Sequence, residues 1–176
     1  MIKVKRRLEF SVHRAFYGPM AKEIERKFLV LDERWRDLVE EEIRIRQFYV
    51  AAGPGRTVRI RVSDGTTAVL TLKFSGPGRG RDEFEYPVPL AEAEEMQGFA
   101  IGRVIEKTRC HVHHGGYLYE VDVFGGELAG LVIAELETPD DVPAEALPAW
   151  LGREVTHEGR YYNASLALRE VPEFAV

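Results

Sequence analysis

A single cysteine, Cys110, stands in a chain of 176 residues. One thiol excludes an intrachain disulfide and points to a reducing compartment, so a cytoplasmic location is expected. Cys110 itself reads as a small buried residue without a role. No apolar run approaches the roughly 20 residues that a membrane-spanning helix needs. Net basicity is missing too: 24 Lys and Arg stand against 29 Asp and Glu, a formal net charge of −5. That balance leaves no electrostatic footprint for nucleic acid unless the cations are gathered inside a site. Neither nucleic acid nor membrane is expected as a partner; the oligomeric state stays open, a homodimer among the options.

What the chain does have is a 45% hydrophobic content, enough for one folded domain over residues 20–176. Residues 1–19 contain Lys3, Lys5, Arg6, Arg7 and Arg14 with no continuous hydrophobic region behind them, which argues against a secretory signal. They are expected to form a poorly ordered N-terminal extension, an artefact of a misplaced start site or, alternatively, a functional basic arm.

From Met20 the pattern becomes regular. Over residues 22–30 a period of two puts Glu23, Glu25 and Lys27 on one strand face. Two acids and a cation so spaced can hold a divalent metal beside a phosphate; the plainer alternative is a solvated salt-bridge ladder. Asp32 caps a short helix through Leu38 or Glu40. Strands follow over Glu41–Ala52, Thr57–Ser63, Thr67–Phe74 and Arg81–Val88, then Ile101–His113, Tyr117–Phe124 and Leu131–Thr138. Gly53-Pro54-Gly55, Asp64-Gly65 and Gly115-Gly116 supply turns. Leu90–Phe99 reads as a helix anchored by Leu90, Met96 and Phe99. A short helix is expected within residues 140–150, and a last one from Gly159 or Arg160 to Arg169.

The sum is a mainly β (α+β) fold: about eight strands in hairpin connection, hence an antiparallel sheet, with two or three short helices. Charged residues occupy the same alternating face in at least six of the strands. Closing the sheet into a barrel sends them into a shared wet lumen, removes the edges, and leaves apolar outer faces for the helices to cover. The inward acids are Glu23, Glu25, Glu83, Glu85, Glu120, Asp122, Glu135 and Glu137; the inward cations are Lys27, Arg59, Arg61, Lys73, Arg81, Lys107 and Arg109. So many carboxylates repel one another without cations. Oxygen-only ligands favour Mg²⁺ or Mn²⁺ over Zn²⁺, and Arg and Lys at several depths suit a polyanion of several phosphoryl groups. The chemistry implied is metal-assisted attack on a phosphoanhydride chain.

These residues resemble a known family. Glu23-x-Glu25-x-Lys27 is similar to the ExExK signature of the CYTH, or triphosphate tunnel metalloenzyme, superfamily. The likeness continues through Gln47-x-Tyr49, Arg59-x-Arg61, Thr71-Leu72-Lys73, Arg81-x-Glu83-x-Glu85 and Glu106-Lys107-Thr108-Arg109. Glu120-Val121-Asp122-Val123-Phe124, Glu135-x-Glu137, Glu154-Val155-Thr156 and Tyr161-Tyr162-Asn163 complete it. ExExK alone is short; the ordered series is specific, and it most resembles the compact bacterial inorganic tripolyphosphatases. The resemblance implies an eight-stranded antiparallel closed β-barrel tunnel with short flanking helices and a C-terminal helix. It implies that Glu23, Glu25, Glu135 and Glu137 hold metal, two ions per site, with Glu120 and Asp122 ligating directly or through water. Lys27, Arg59, Arg61, Lys73, Arg81, Lys107 and Arg109 would grip a small-molecule triphosphate. Lys27, Tyr49, Glu83 and Glu85 would serve catalysis, with Glu83 or Glu85 orienting the attacking water. Tyr49 would approach the terminal phosphate or gate the tunnel, unless it is a packing aromatic at the rim.

The expected reaction is therefore hydrolysis of tripolyphosphate to pyrophosphate and phosphate. Adenylate cyclisation, or thiamine or nucleoside triphosphate hydrolysis, in the same tunnel is the first alternative; a polyphosphate-binding module without turnover is the second. Three further signals are given plainer readings. The glycine-rich stretch Ser75–Gly80 lacks Walker spacing and reads as a hairpin loop. His111, His113 and His114 read as a solvated turn rather than a transition-metal site. Arg160 reads as a surface charge.

Overall fold

In the computed structural model the described residues are 24–76 and 79–169, without the side chains of 24, 76 and 79–81. The extension expected over 1–19, Glu23 and the Arg81 side chain lie outside them. The chain runs β1 (Ile24–Val30), β2 (Val39–Gly53), β3 (Arg56–Ser63), β4 (Thr67–Gly76), β5 (Arg79–Val88), α1 (Leu90–Met96), β6 (Ile101–His114), β7 (Tyr117–Phe124), β8 (Val132–Thr138), β9 (Leu151–Glu154) and α2 (Asn163–Leu168). All strands join one sheet in the order β5-β4-β3-β2-β6-β7-β8-β1-β9, and every pairing is antiparallel.

Turn chemistry sets this register. Asp64 and Gly65 both have positive φ, 51° and 66°, and Thr66 N–H donates to the Ser63 carbonyl at 3.0 Å. Ser63 then pairs with Thr67, so the connection is three residues long, tightened by the left-handed Asp64 and Gly65. Gly115 and Gly116, with φ 60° and 87°, make a two-residue turn between the paired His114 and Tyr117.

Among the described residues the sheet is nine-stranded and open, which corrects the expected eight-stranded closed barrel. The added strand, β9, is four residues long and pairs with β1 through Phe28–Glu154 and Val30–Leu151. Arg26 secures it, donating to Glu154 at 2.7 Å and to the Val142 carbonyl at 2.8 Å. Leu151-Gly152-Arg153-Glu154 has one large apolar residue and no alternation, so periodicity passes over it. Among the described residues β5 and β9 each have one strand partner. Charge blunts both free edges, Asp82, Glu83 and Glu85 on one and Arg153 and Glu154 on the other, and Pro87 removes a donor from β5.

Two apolar layers cover the outer face. Ala93 of α1 packs on Phe48, Ile60, Val62 and Ala68 of β2–β4. Trp35, Val142 and Trp150, from connecting segments, pack on Val112, Tyr119, Val121, Ala134 and Leu136 of β6–β8. The helix expected after Asp32 is one 3₁₀ turn, Arg36–Leu38; Asp32 instead accepts from Arg34 N–H at 3.0 Å in a tight turn. Within residues 140–150 the expected helix is likewise one 3₁₀ turn, Ala144–Ala146. Phe99, expected to anchor α1, is exposed.

A third layer lies on the inner face, against the expectation that the helices cover only the outside. Leu166 and Ala167 of α2, with Tyr161, Leu128, Leu131 and Val155, pack on Tyr49, Ile105, Phe124 and Ile133. These four share the strand parity of the charged residues, so α2 stops one end of the charged face. Curvature makes this face concave. In a flat sheet β2 and β1 would stand four spacings, about 19 Å, apart, yet Tyr49 on β2 lies within electrostatic reach of Lys27 on β1 and Glu83 on β5. Among the described residues no helix is long and apolar enough to cross a membrane.

Gly102 seats α2. Its φ is +70°, and a Cβ there would lie 2.2 Å from the Ala167 carbonyl oxygen. Gly102→Ala is expected to destabilise the protein by about 2 kcal/mol, lowering Tm by about 4–8 °C for a chain of this size. Thermal unfolding followed by circular dichroism checks this; an unchanged Tm would show that α2 is not held there.

Candidate active site

Directly opposed residues of neighbouring strands share a face, so the register assigns the site. Lys27 opposes Glu135 and Glu25 opposes Glu137; Glu120 also opposes Glu135, and Arg109 opposes Asp122. Arg59 opposes Tyr49 and Arg61 opposes Gln47. Thr71 opposes both Arg59 and Glu85, and Lys73 opposes Glu83. Lys107 joins through Ile45 on β2 and Phe124 on β7. Every expected site residue with a described side chain thus lies on the concave face.

The charges form two groups separated by β2, whose inner side carries Ile43, Ile45, Gln47 and Tyr49. On β3–β5, Lys73 pairs with Glu83 at 2.9 Å. Glu85 lies 3.5 Å from Arg59 and 3.6 Å from Arg61. Buried Thr71 joins them, accepting from Arg59 at 3.1 Å and donating to Glu85 at 3.0 Å. On β6, β7, β8 and β1, Lys27 bonds to both Glu25 and Glu135. Arg109 bonds to Glu120, to Asp122 at 2.8 Å and to Glu135 at 3.1 Å. Lys107 bonds to Asp122 and lies 3.5 Å from Asn163 Oδ1 of α2.

Depth separates the roles these residues can take. Lys107 and Asp122 form a buried floor pair, each side chain 1% exposed. Burial alone would raise the Asp122 carboxyl, but Lys107 and Arg109 outweigh it and hold it at about 2. Burial pushes Lys107 down against the pull of Asp122. Asp122 stays ionised because two cations hold its charge. Arg109 is raised: the Asp122 hydrogen bonds more than offset its burial. Lys27 is raised as well, since Glu135 and Glu25 overcome desolvation. Burial raises the Tyr49 phenol, leaving it a proton donor at neutral pH.

Above the floor, Glu25, Glu120, Glu135, Glu137 and Leu118 line a cavity of about 340 Å³. Four carboxylates with no sulfur donor suit a hard divalent cation of the Mg²⁺ or Mn²⁺ kind. Lys27 holds Glu25 and Glu135 here and Arg109 holds Glu120. Among the described residues no three acids or imidazoles close on one point.

Sequence reasoning gave no site role to three neighbours of this face. Thr71 is the hydroxyl bridge just described. Asn163 reaches Lys107 from α2. His111 departs from the solvated-turn reading: its Nδ1 is 2.9 Å from Glu41 and its Nε2 is 3.6 Å from Glu120. It shares odd parity with Lys107 and Arg109, the one signal available beforehand. His113 and His114 are exposed, as that reading has it. Arg160 bonds to Glu158 at 2.7 Å and is half-exposed.

A curled antiparallel sheet with an ionic concave face is the class of protein these observations define. A family model described as the CYTH domain matches residues 21–169, and the chain belongs to that family, as the ExExK series led us to expect. It is similar to the inorganic triphosphatase of Acetivibrio thermocellus, 39% identical over 156 residues that cover 88% of this chain and 99% of the relative. It is also similar to the inorganic triphosphatase of Nitrosomonas europaea, 37% identical over 150 residues, 83% of this chain and 97% of the relative. Among solved structures, the inorganic triphosphatase NE1496 superposes with a TM-score of 0.66 at 35% identity, covering 86% of this chain and 97% of that one.

The floor pair makes a stability prediction. Asp122 has a depressed folded pKa, so its stabilisation is present above the unfolded value of 3.8 and is lost as pH falls towards about 2. Asp122→Asn leaves Lys107 and Arg109 buried without that anion, and is expected to destabilise by about 3–5 kcal/mol. It should also flatten the loss of stability on acidification. Urea unfolding at neutral pH and between pH 3.8 and about 2 checks both; wild-type stability in the variant would contradict the pairing.

Proposed function

We propose that this protein hydrolyses inorganic tripolyphosphate to pyrophosphate and phosphate with the help of a divalent metal. The observation that carries the reading is the register: Glu and Asp rows and Arg and Lys rows converge on one concave face, beside a cavity walled by four glutamates. The names of the relatives agree with it. A triphosphate is a linear polyanion, and cations spread over β1, β3, β4, β5 and β6 match its length better than a single anion would.

Residue roles follow from position. Arg59, Arg61 and Lys73 take the phosphoryl groups on one side, joined by Arg81 as the family resemblance implies, and Lys27 and Arg109 on the other; Lys107 supports Arg109 from below through Asp122. Glu25, Glu120, Glu135 and Glu137, together with Glu23 of the ExExK signature, would hold Mg²⁺ or Mn²⁺, two ions per site. Asp122 contributes on this side by fixing Arg109. When bound, the metal supplies neutralisation of phosphoryl oxygens and an acidified water. Phosphate oxygens that engage Arg59, Arg61 and Lys73 displace Glu83 and Glu85 from those cations. One of these carboxylates then orients the attacking water and takes its proton. Tyr49, between the two groups and opposite Arg59, offers its O–H to the terminal phosphoryl.

A phosphate-release panel with Mg²⁺ and Mn²⁺ tests the reaction on tripolyphosphate, ATP, thiamine triphosphate and pyrophosphate, with cyclic AMP assayed alongside. Tripolyphosphate is expected to turn over fastest, and Glu25→Gln to lose about 100-fold through weakened metal binding. Cyclic AMP as the main product from ATP, or tight tripolyphosphate binding without any product, would overturn the reading.

A further inference from the structure

Gln47 sits in the middle of the concave face, 1% exposed. Its direct neighbours there are Arg61 on β3 and Ile105 on β6. One step away diagonally are Arg59, opposite Tyr49, and Lys107, opposite Ile45. The Gln47 Nε2 amide is buried without a hydrogen-bond partner, and so is Arg59 Nε. Buried polar groups are nearly always paired, so two adjacent orphan donors call for a cause.

Among the described residues the neighbouring carboxylates are already engaged, and the Tyr49 hydroxyl is a partner of Arg59. Arg59, Arg61 and Lys107 can only donate. Nearby Glu85 is engaged by Arg59, Arg61 and Thr71, and Asp122 by Lys107 and Arg109. Leucine or methionine would fit an apolar β2 position without leaving a donor unmet, since Ile43 and Ile45 precede it on the same side. In this cationic setting an anion's oxygen is the acceptor that would match the amide.

We infer that Gln47 contacts the substrate: its Nε2, with Arg59 Nε beside it, donates to a phosphoryl oxygen of the bound triphosphate. This rests on the triphosphatase reading and deepens it, adding an amide donor to a site built mainly of charges. A neutral amide keeps its hydrogens at every working pH and has no need of a counter-ion when the site is empty, unlike each cation around it. It therefore fixes where along the chain an oxygen must sit.

The inference predicts opposite effects on stability and on function. Gln47→Met keeps the shape and removes the orphan donor. Its Tm is expected to rise by about 2–4 °C, while KM for tripolyphosphate rises about tenfold with kcat little changed. Gln47→Glu places a carboxylate where the phosphoryl oxygen would bind; it is expected to pair with the flanking cations, keep the fold, and raise KM by more than tenfold. Turnover is measured on wild type and both variants, and tripolyphosphate binding by calorimetry in parallel. A wild-type KM in Gln47→Met, whatever its Tm, overturns the assignment of Gln47 alone; if that variant fails to fold, a wild-type KM in Gln47→Glu does the same. A wild-type protein that neither binds nor hydrolyses tripolyphosphate overturns the triphosphatase reading, and this inference with it.

Discussion

Asp122, buried between Lys107 and Arg109, anchors the β6–β1 half of the charged face. It ties β6 to β7 at the floor, under Asn163 of α2. Arg109 then reaches Glu120 and Glu135, and Glu135 reaches Lys27, which holds Glu25. Opposite charges alternate across four strands, from β6 to β1. A sheet can bury such a face only when each charge has a partner, because an unpaired ion in low dielectric is far more destabilising than the pair itself is stabilising. Exposed pairs such as Arg34–Asp32 and Arg160–Glu158 contribute little by comparison. The network's worth lies less in net stability than in specifying one arrangement of its seven ionisable groups.

That arrangement also explains how the site can be both closed and ready. On the proposed reading, the internal ion pairs stand in for ligands. Phosphoryl oxygens replace the carboxylates at Arg59, Arg61 and Lys73, and metal replaces Lys27 and Arg109 at the glutamates. Each exchange substitutes one charged partner for another, so no group is left buried and bare along the way. The β2 strip of Ile43, Ile45, Gln47 and Tyr49 keeps the two groups from collapsing onto each other, and α2 seals the end beside Tyr49.

Much of this was legible in the sequence, and for one reason. A period of two is a strict rule for strands, and the register kept Lys27, Arg59, Lys73, Glu83, Arg109, Glu120 and Glu135 on the side that alternation assigned. Asp-Gly and Gly-Gly turns, whose residues take positive φ, fixed where each strand reversed. Closure was not legible, because it depends on whether the last edges meet, and that depends on curvature accumulated over the whole sheet rather than on any local pattern. β9 carries too few apolar residues to announce itself. The depth of Lys107 and Asp122, against the more open Lys73, follows from α2 folding onto the inner face. His111 was hidden by its exposed neighbours His113 and His114, though parity alone separated it from His114. Arg81 and Glu23 share the expected parity by sequence, and their side chains lie outside the described residues.

The central claim is that the concave face exchanges its internal ion pairs for a polyphosphate and its cations. The most direct measurement is a crystal structure with divalent metal and a tripolyphosphate analogue whose bridging oxygens are replaced by CH₂. The account predicts the analogue lying along the concave face, its oxygens on Arg59, Arg61 and Arg109, with metal between it and Glu25, Glu135 and Glu137. An analogue bound on the outer face, or on the inner face with the Lys27–Glu135 and Arg59–Glu85 pairs intact and no metal at the glutamates, would contradict it.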